Sequence, residues 1–276
     1  MPTLYVVATP IGNMEDLTAR ALRILREVQL IAAEDTRTTR KILARHGITT
    51  PLVSFHEHNK SARLPALLDA LADKDVALVS DAGTPLVSDP GYELVVEAVR
   101  RGYRVAPVPG PSAITAALAV AGLPADQFTF LGFLPRDKKA RSRLLAEVGS
   151  QPRTIVAFEA PHRVRASLAD MALALGDRRM AVCRELTKLY EEVFRGTARE
   201  ALEHFAQPRG EFTLVIEGGT PTAVAPVPGP DAQERLKALL AEGVAPKEAV
   251  ARVVQETGLR RRDVYALRMK IGKSSP

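Results

Sequence analysis

Short apolar runs alternate with stretches of helical period from the fourth residue onward, and no other feature constrains the fold as strongly. Leu4–Ala8, Leu30–Ala33, Val76–Ser80 and Val105–Val108 are near-continuous apolar segments, as strands buried on both faces require. Between them, Thr18–Glu27, Thr36–Arg45, Ser61–Leu71 and Tyr92–Arg101 place apolar residues three and four apart. Strand alternating with helix predicts a parallel sheet covered on both sides. The second half repeats the theme less regularly. Phe128–Phe133, Thr154–Phe158, Arg179–Arg184 and Phe212–Glu217 read as strands, with Ala113–Ala121, Lys139–Val148, Val164–Leu175 and Arg199–Phe205 as helices. One more strand over Glu191–Arg195 would make this second sheet mixed.

Proline and glycine divide the chain. Val108-Pro109-Gly110-Pro111 stops any helix, so residues 1–110 and 111–218 are expected to be separate α/β domains. Gly218 to Pro230 reads GGTPTAVAPVPGP, which makes 219–230 a proline-rich linker. Residues 231–276 then carry three short helical patterns. Asp231 is placed to cap the first, which runs to Ala241 and ends at Gly243. Pro246 opens the second and Gly258 ends it, and Leu259–Asp263 leads into the third, a helix-turn-helix spacing. Leu236, Leu239, Leu240, Val250, Val253, Val254, Val264 and Leu267 can close a small core there.

The net charge is +6, of which +4 falls in residues 231–276, so an anionic partner is favoured at the C-terminal end. No apolar run approaches the roughly 18–20 residues that cross a bilayer, and the start lacks a basic leader segment. A cytoplasmic, membrane-free protein is expected. The single cysteine, Cys183, excludes an intramolecular disulfide and any multi-cysteine metal site, and its setting in a strand reads as apolar filler. His56 and His58 share one side of an extended segment but have no third ligand at strand or helical spacing. They are expected to face substrate or a partner subunit rather than a metal.

In a parallel α/β sheet, ligands bind beyond the C-terminal ends of the strands. Three loops leave such ends here: Thr9-Pro10-Ile11-Gly12-Asn13, Ser80 to Gly91 (SDAGTPLVSDPG), and Pro109-Gly110-Pro111-Ser112-Ala113. Glycine admits a ligand close to the backbone and proline sets the loop shape. Each alone reads better as a tight turn between packed elements; three at one sheet edge point to a site. There is no Gly-x-x-x-x-Gly-Lys-Ser/Thr, and no Gly-x-Gly-x-x-Gly follows the first strand, so neither a nucleotide P-loop nor an ordinary dinucleotide site is present.

These loops, with Ala33-Glu34-Asp35-Thr36-Arg37, Ser54-Phe55-His56-Glu57-His58-Asn59, Gly132-Phe133-Leu134-Pro135-Arg136, Phe158 to Arg163 and Arg184 to Lys188, resemble the tetrapyrrole methylase superfamily. The likeness is to its branch that methylates small-subunit ribosomal RNA, and it spans residues 3–218. It implies two α/β domains of the class III methyltransferase type, a parallel sheet followed by a mixed one. It also implies S-adenosylmethionine in the cleft between them, and a homodimer. The implied reaction is methylation of the 2′-hydroxyl of cytidine 1402 in 16S ribosomal RNA, on the isolated RNA or the small subunit.

Carried over position by position, the resemblance places Pro10, Gly83, Thr84, Pro85, Val87, Ser112 and Ala113 on the cofactor, with Phe133, Leu134 and Arg184 from the second domain. The superfamily's Gly-Asp-Pro triplet is Gly83-Thr84-Pro85 here, so the backbone is the expected holder.

A ribose hydroxyl is a poor nucleophile until its proton is taken. Asp35, Glu159, Glu185 and Lys188 are the candidate bases, the lysine only if a neighbour such as Arg184 depresses its pKa. Asp35 reads equally as a helix cap, and Glu159 as an ion-pair partner of Arg163. For RNA phosphates the candidates are Arg136, Lys138, Lys139, Arg141 and Arg143, which otherwise read as a solvated helix start, and Arg260, Arg261 and Arg262 before the third C-terminal helix. A methylase of the same fold acting on a small tetrapyrrole, or a non-catalytic ribosome-assembly factor, are the competing functions.

Overall fold

Buried segments build the expected parallel sheet, with one strand more. β1 (Thr3–Val7), β2 (Leu30–Ala33), β3 (Leu52–Ser54), β4 (Val76–Val79) and β5 (Arg104–Val108) lie in the order β3-β2-β4-β1-β5, all parallel. Helices α1 (Ala19–Glu27), α2 (Thr36–Arg45), α3 (Lys60–Ala70) and α4 (Tyr92–Arg100) make the connections. This is a computed structural model that describes residues 2–219, 230–257, 259 and 261–271, with the backbone alone at 230, 231 and 270.

β4 explains the doubly covered sheet. All four of its residues are buried; Ala77 and Val79 pack with Ile24, Leu25 and Ile42 of α1 and α2, whereas Val76 and Leu78 pack with Leu67, Leu68 and Leu94 of α3 and α4. Side chains of a strand alternate between faces, so both faces need cover. Each large apolar side chain buried this way contributes about 1.5–3 kcal/mol. β3 escapes the sequence pattern because it is three residues long, half-buried and at the sheet edge.

The second sheet is mixed. β6 (Phe128–Phe133), β7 (Thr154–Glu159), β8 (Met180–Arg184), β9 (Glu192–Gly196) and β10 (Phe212–Ile216) take the order β6-β7-β10-β8-β9, with only the β6–β7 pair parallel. α5 (Ala113–Ala121) covers one face, setting Ile114, Ala117 and Leu118 on Val156, Ala181 and Val215. α6 (Lys138–Gly149), α7 (Pro161–Leu175) and α8 (Ala198–His204) cover the other through Leu145, Leu168, Met171 and Ala201.

α6 corrects one expectation. Arg141 is not offered to phosphate: it is buried, pairs with Asp170 of α7 at 2.6 Å, and donates to the carbonyls of Pro135 (3.0 Å) and Arg136 (3.3 Å). It shares the inward face of α6 with Leu145 and Val148, four and seven residues on. Asp170→Ala would leave the guanidinium buried without a counter-charge, and should cost about 3–5 kcal/mol in urea unfolding. Arg141→Met combined with Asp170→Leu should recover most of that loss. A single-variant cost under about 1 kcal/mol would mean that water reaches the pair.

The described residues fall into two compact units, 1–149 with 153–218, and 150–152 with 219–276. The smaller unit holds α9 (Pro230–Ala241), α10 (Pro246–Thr257) and α11 (Arg261–Ile271), closed around Leu236, Leu239, Val250, Val253, Leu259 and Val264. α9 starts at Pro230, so Asp231 lies inside the helix instead of capping it. α11 starts at Arg261, so Arg261 and Arg262 form its exposed first turn instead of preceding it. Gly258, Arg260 and residues 220–229 of the linker lie outside the described residues. Among the described residues no helix is long and apolar enough to cross a membrane.

Candidate active site

β4, β1 and β5 are adjacent and parallel, so the loops leaving their C-terminal ends emerge side by side. Backbone hydrogen bonds tie them together. Thr9 N donates to Gly83 O at 2.8 Å and Gly83 N returns to Thr9 O at 3.0 Å, while the Thr9 hydroxyl donates to Ser80 O at 3.1 Å. The 80–91 loop is held in unusual backbone geometry, with φ of +75° at Gly83, +74° at Leu86, +70° at Ser88 and +130° at Gly91. Left-handed non-glycine residues cost about 1–3 kcal/mol each, and they persist where the surroundings hold the loop for a ligand.

The second sheet supplies the facing wall. Gly12 lets the two lobes meet: a Cβ there would sit 2.4 Å from Lys188 Cγ and 3.0 Å from Leu186 O, and Asn13 N donates to the Thr187 hydroxyl at 3.1 Å. Between the walls lies a cleft of about 420 Å³, within the size range of small-molecule sites. Ile11, Gly83, Thr84, Val87, Ser112 and Ala113 line one side, and Phe133, Phe158, Glu159, Cys183, Leu186 and Thr213 the other.

Six of the ten expected cofactor residues therefore face the cleft: Gly83, Thr84, Val87, Ser112, Ala113 and Phe133. Pro10 and Pro85 are buried within their loops and shape it from behind. Leu134, 1% exposed, packs into the core under α6 and α7. Arg184 is turned to Glu192 at 2.8 Å and to the carbonyl of Arg209 at 2.9 Å.

The four expected bases are all engaged. Asp35 caps α2, accepting from Arg37 N at 2.8 Å, and the Arg37 guanidinium beside it pulls its carboxyl down to about 2. Glu159 lines the cleft, but its carboxylate is buried against the Arg163 guanidinium, the Ser167 hydroxyl and Ala160 N. Lys188 Nζ is clamped by Glu185 at 2.9 Å and Glu211 at 2.8 Å. Burial alone would lower its pKa, but the hydrogen bonds it donates to Glu211 and Glu185 outweigh it and the net shift is upward. That is opposite to what a neutral lysine base needs. Glu185, also partly desolvated, is held below the usual carboxylate range by the same lysine.

Besides Glu211, which clamps Lys188, three carboxylates not singled out by sequence face the cleft: Glu34, Asp81 and Asp89. Asp81 accepts from Asp35 N at 3.0 Å, and Glu34 accepts from Asp81 N at 3.3 Å. Burial, with neighbouring carboxylates (Asp35 among them) adding like charge, raises all three, Asp89 to about 6, against a hydrogen bond from the Ser80 hydroxyl that favours its charged form. Their signal in the sequence is position: Glu34 and Asp81 lie just beyond the ends of parallel strands, and Asp89 lies ten residues on in the loop that leaves β4. Among the described residues no group of His, Cys, Asp and Glu is arranged to hold a metal.

Residues 3–202 match the tetrapyrrole (corrin/porphyrin) methylases, and residues 226–271 the RsmI C-terminal HTH domain. The ribosomal RNA small subunit methyltransferase I of Halalkalibacterium halodurans is 46% identical, over 95% of this chain and 93% of that one. That of Thermotoga maritima is 51% identical over 221 residues, 79% of this chain and 99% of the relative. Among solved structures, uroporphyrin-III C-methyltransferase from Thermus thermophilus, complexed with S-adenyl homocysteine, aligns with a TM-score of 0.56 at 22% identity, covering 78% of this chain and 97% of that one. At that identity the likeness is one of fold.

Proposed function

The chain belongs to the tetrapyrrole methylase family, and on that premise we propose that it methylates the 2′-hydroxyl of cytidine 1402 in 16S ribosomal RNA with S-adenosylmethionine. The observation that carries this reading is likeness to small-subunit ribosomal RNA methyltransferases over 95% of the chain, in a chain whose cleft suits that cofactor. The cofactor is cationic, with ribose hydroxyls and an apolar adenine. Glu34 and Asp81 offer acceptors for the former, and Ile11, Val87, Ile114 and Phe158 a surface for the latter. When bound, it supplies an electrophilic methyl group.

The residues of the chain do the rest. Gly83, Ser112 and Ala113 bring backbone to the cofactor, and orientation of the attacking oxygen is the main contribution expected of the protein. Asp89, largely ionised at neutral pH, is the group we assign to accept the hydroxyl proton. Glu159 and Arg163 hold the facing wall in shape. Arg136, Lys138, Lys139 and Arg143 are exposed and suited to phosphate oxygens. The same reading makes the enzyme cytoplasmic and a homodimer, the latter open to sedimentation.

Small ribosomal subunits lacking the methyl group, incubated with enzyme and labelled cofactor, should gain one methyl, mapped by mass spectrometry to that ribose. Transfer elsewhere in the RNA would overturn the assigned position, and transfer only to a tetrapyrrole the substrate class. Residues 231–276 are proposed to hold RNA and leave cofactor binding untouched. A chain ending at Gly219 should bind the cofactor normally but bind RNA more weakly, with a shallower salt dependence. Unchanged RNA affinity and salt slope would give the helical unit another role.

A further inference from the structure

We propose that Phe133 is the platform on which the substrate's base stacks, and that the ribbon leading away from it carries the adjoining phosphates. The inference rests on the RNA reading above and assigns Phe133 to substrate instead of cofactor.

Strand β6 loses register with β7 between Phe130 and Phe133, and Gly132 sits there at φ +65°. A bulge of this kind re-aims the next side chain. A Cβ on Gly132 would lie 3.4 Å from the Ser88 hydroxyl, so the bulge rests against the 80–91 loop. Phe133 consequently borders the cleft while remaining 56% exposed. Its ring meets Phe158 edge-on at 5.6 Å, and Phe158 meets Phe130 in the same way at 4.9 Å. The ring is thus supported by other aromatics and open toward solvent.

A cofactor site normally buries most of its ligand, which suits Phe158 inside the cleft better than Phe133 at its mouth. A ribose presented to the cleft needs its nucleotide drawn out of the RNA stack, and an exposed aromatic face replaces the lost stacking without selecting the base.

The ribbon beyond Phe133 is prepared for phosphates. Leu134 anchors it in the core, and buried Arg141 holds the carbonyls of Pro135 and Arg136. Arg136, Lys138 and Lys139 follow, exposed. The one acid among them, Asp137, is occupied in accepting from Ala140 N at 2.8 Å at the start of α6.

The test compares wild type, Phe133→Ala and Phe133→Trp on small subunits lacking the methyl group, with calorimetric titration of S-adenosylmethionine alone. Stacking of one base predicts that Phe133→Ala raises KM for subunits by roughly tenfold, within the range alanine substitution gives elsewhere. Phe133→Trp should restore it. Cofactor affinity should stay within twofold in both, which also certifies that the variants are folded. Removing Arg136, Lys138 and Lys139 together should flatten the salt dependence by about 0.7 per lost contact. A weakened cofactor affinity in Phe133→Ala would return the ring to the cofactor, and an unchanged KM would remove it from both. Either result overturns the proposal while wild-type turnover keeps the RNA reading intact. Absence of wild-type transfer to subunits overturns both.

Discussion

Asp89→Asn should lower kcat for methyl transfer by about a hundred- to ten-thousand-fold, with affinity for S-adenosylmethionine changed by no more than a few-fold. Asp89 faces the cleft and has a carboxyl raised to about 6, chiefly by burial, with Glu34 and Asp81 adding like charge. Such a group is ionised at neutral pH yet more basic than an ordinary carboxylate, as proton acceptance requires. The wild-type rate should therefore climb tenfold per pH unit below about 6 and level off above it. The variant should lose that limb.

Stability should move the other way. Because the folded state holds this proton more tightly than the unfolded chain, the associated stability is fully present below the ordinary carboxylate range and is lost as pH rises through about 6. Asp89→Asn should thus be at least as stable as wild type at pH 7, with the difference closing toward pH 4. Normal turnover in the variant would place the base elsewhere, and a large loss of cofactor affinity would make Asp89 a cofactor ligand.

The second large effect is expected at Gly83. A valine there would be forced into φ +75°, where a β-branched residue is an outlier, and its branches would enter the cleft beside Ile11. A bare Cβ would stand 3.4 Å from Ile11 Cγ2, ordinary contact, so the damage comes from backbone strain and the added methyls. Relaxing that strain would disturb the paired bonds with Thr9 that align the loops. Gly83→Val should weaken cofactor binding by roughly a hundredfold or more, as about 3 kcal/mol of lost contact and strain implies. Gly83→Ala should fall between, and circular dichroism should report an intact fold in both. Wild-type affinity in the valine variant would take this loop out of the site.

Much of this arrangement is legible before any coordinates. β1, β2 and β4 are wholly or largely apolar because helices cover both their faces, and glycine and proline mark the three loops that leave β1, β4 and β5. What the string of residues conceals is which polar groups are already taken. Glu34 and Asp35 are neighbours, yet Asp35 turns to cap α2 while Glu34 turns to the cleft. Glu159 reads as either a base or the partner of Arg163, and only the structure decides for the pair and adds the Ser167 hydroxyl to it. Arg141 is hidden in a basic run, although its spacing from Leu145 and Val148 is the period of a buried helix face. β3 is too short to carry a period at all.

Cys183 has a practical consequence. It is the chain's single cysteine, 1% exposed, and burial pushes its thiol up to about 11. The thiolate is the form that attacks maleimides and disulfide reagents, and it is scarce at neutral pH in a group of that kind and shielded by the packed strand around it. For site-specific chemistry the molecule therefore starts with a silent background. A cysteine introduced on an exposed position of α11, and another on the 80–91 loop, can carry a fluorophore pair without first rebuilding the interior. Energy transfer between them would then follow the helical unit as RNA is engaged.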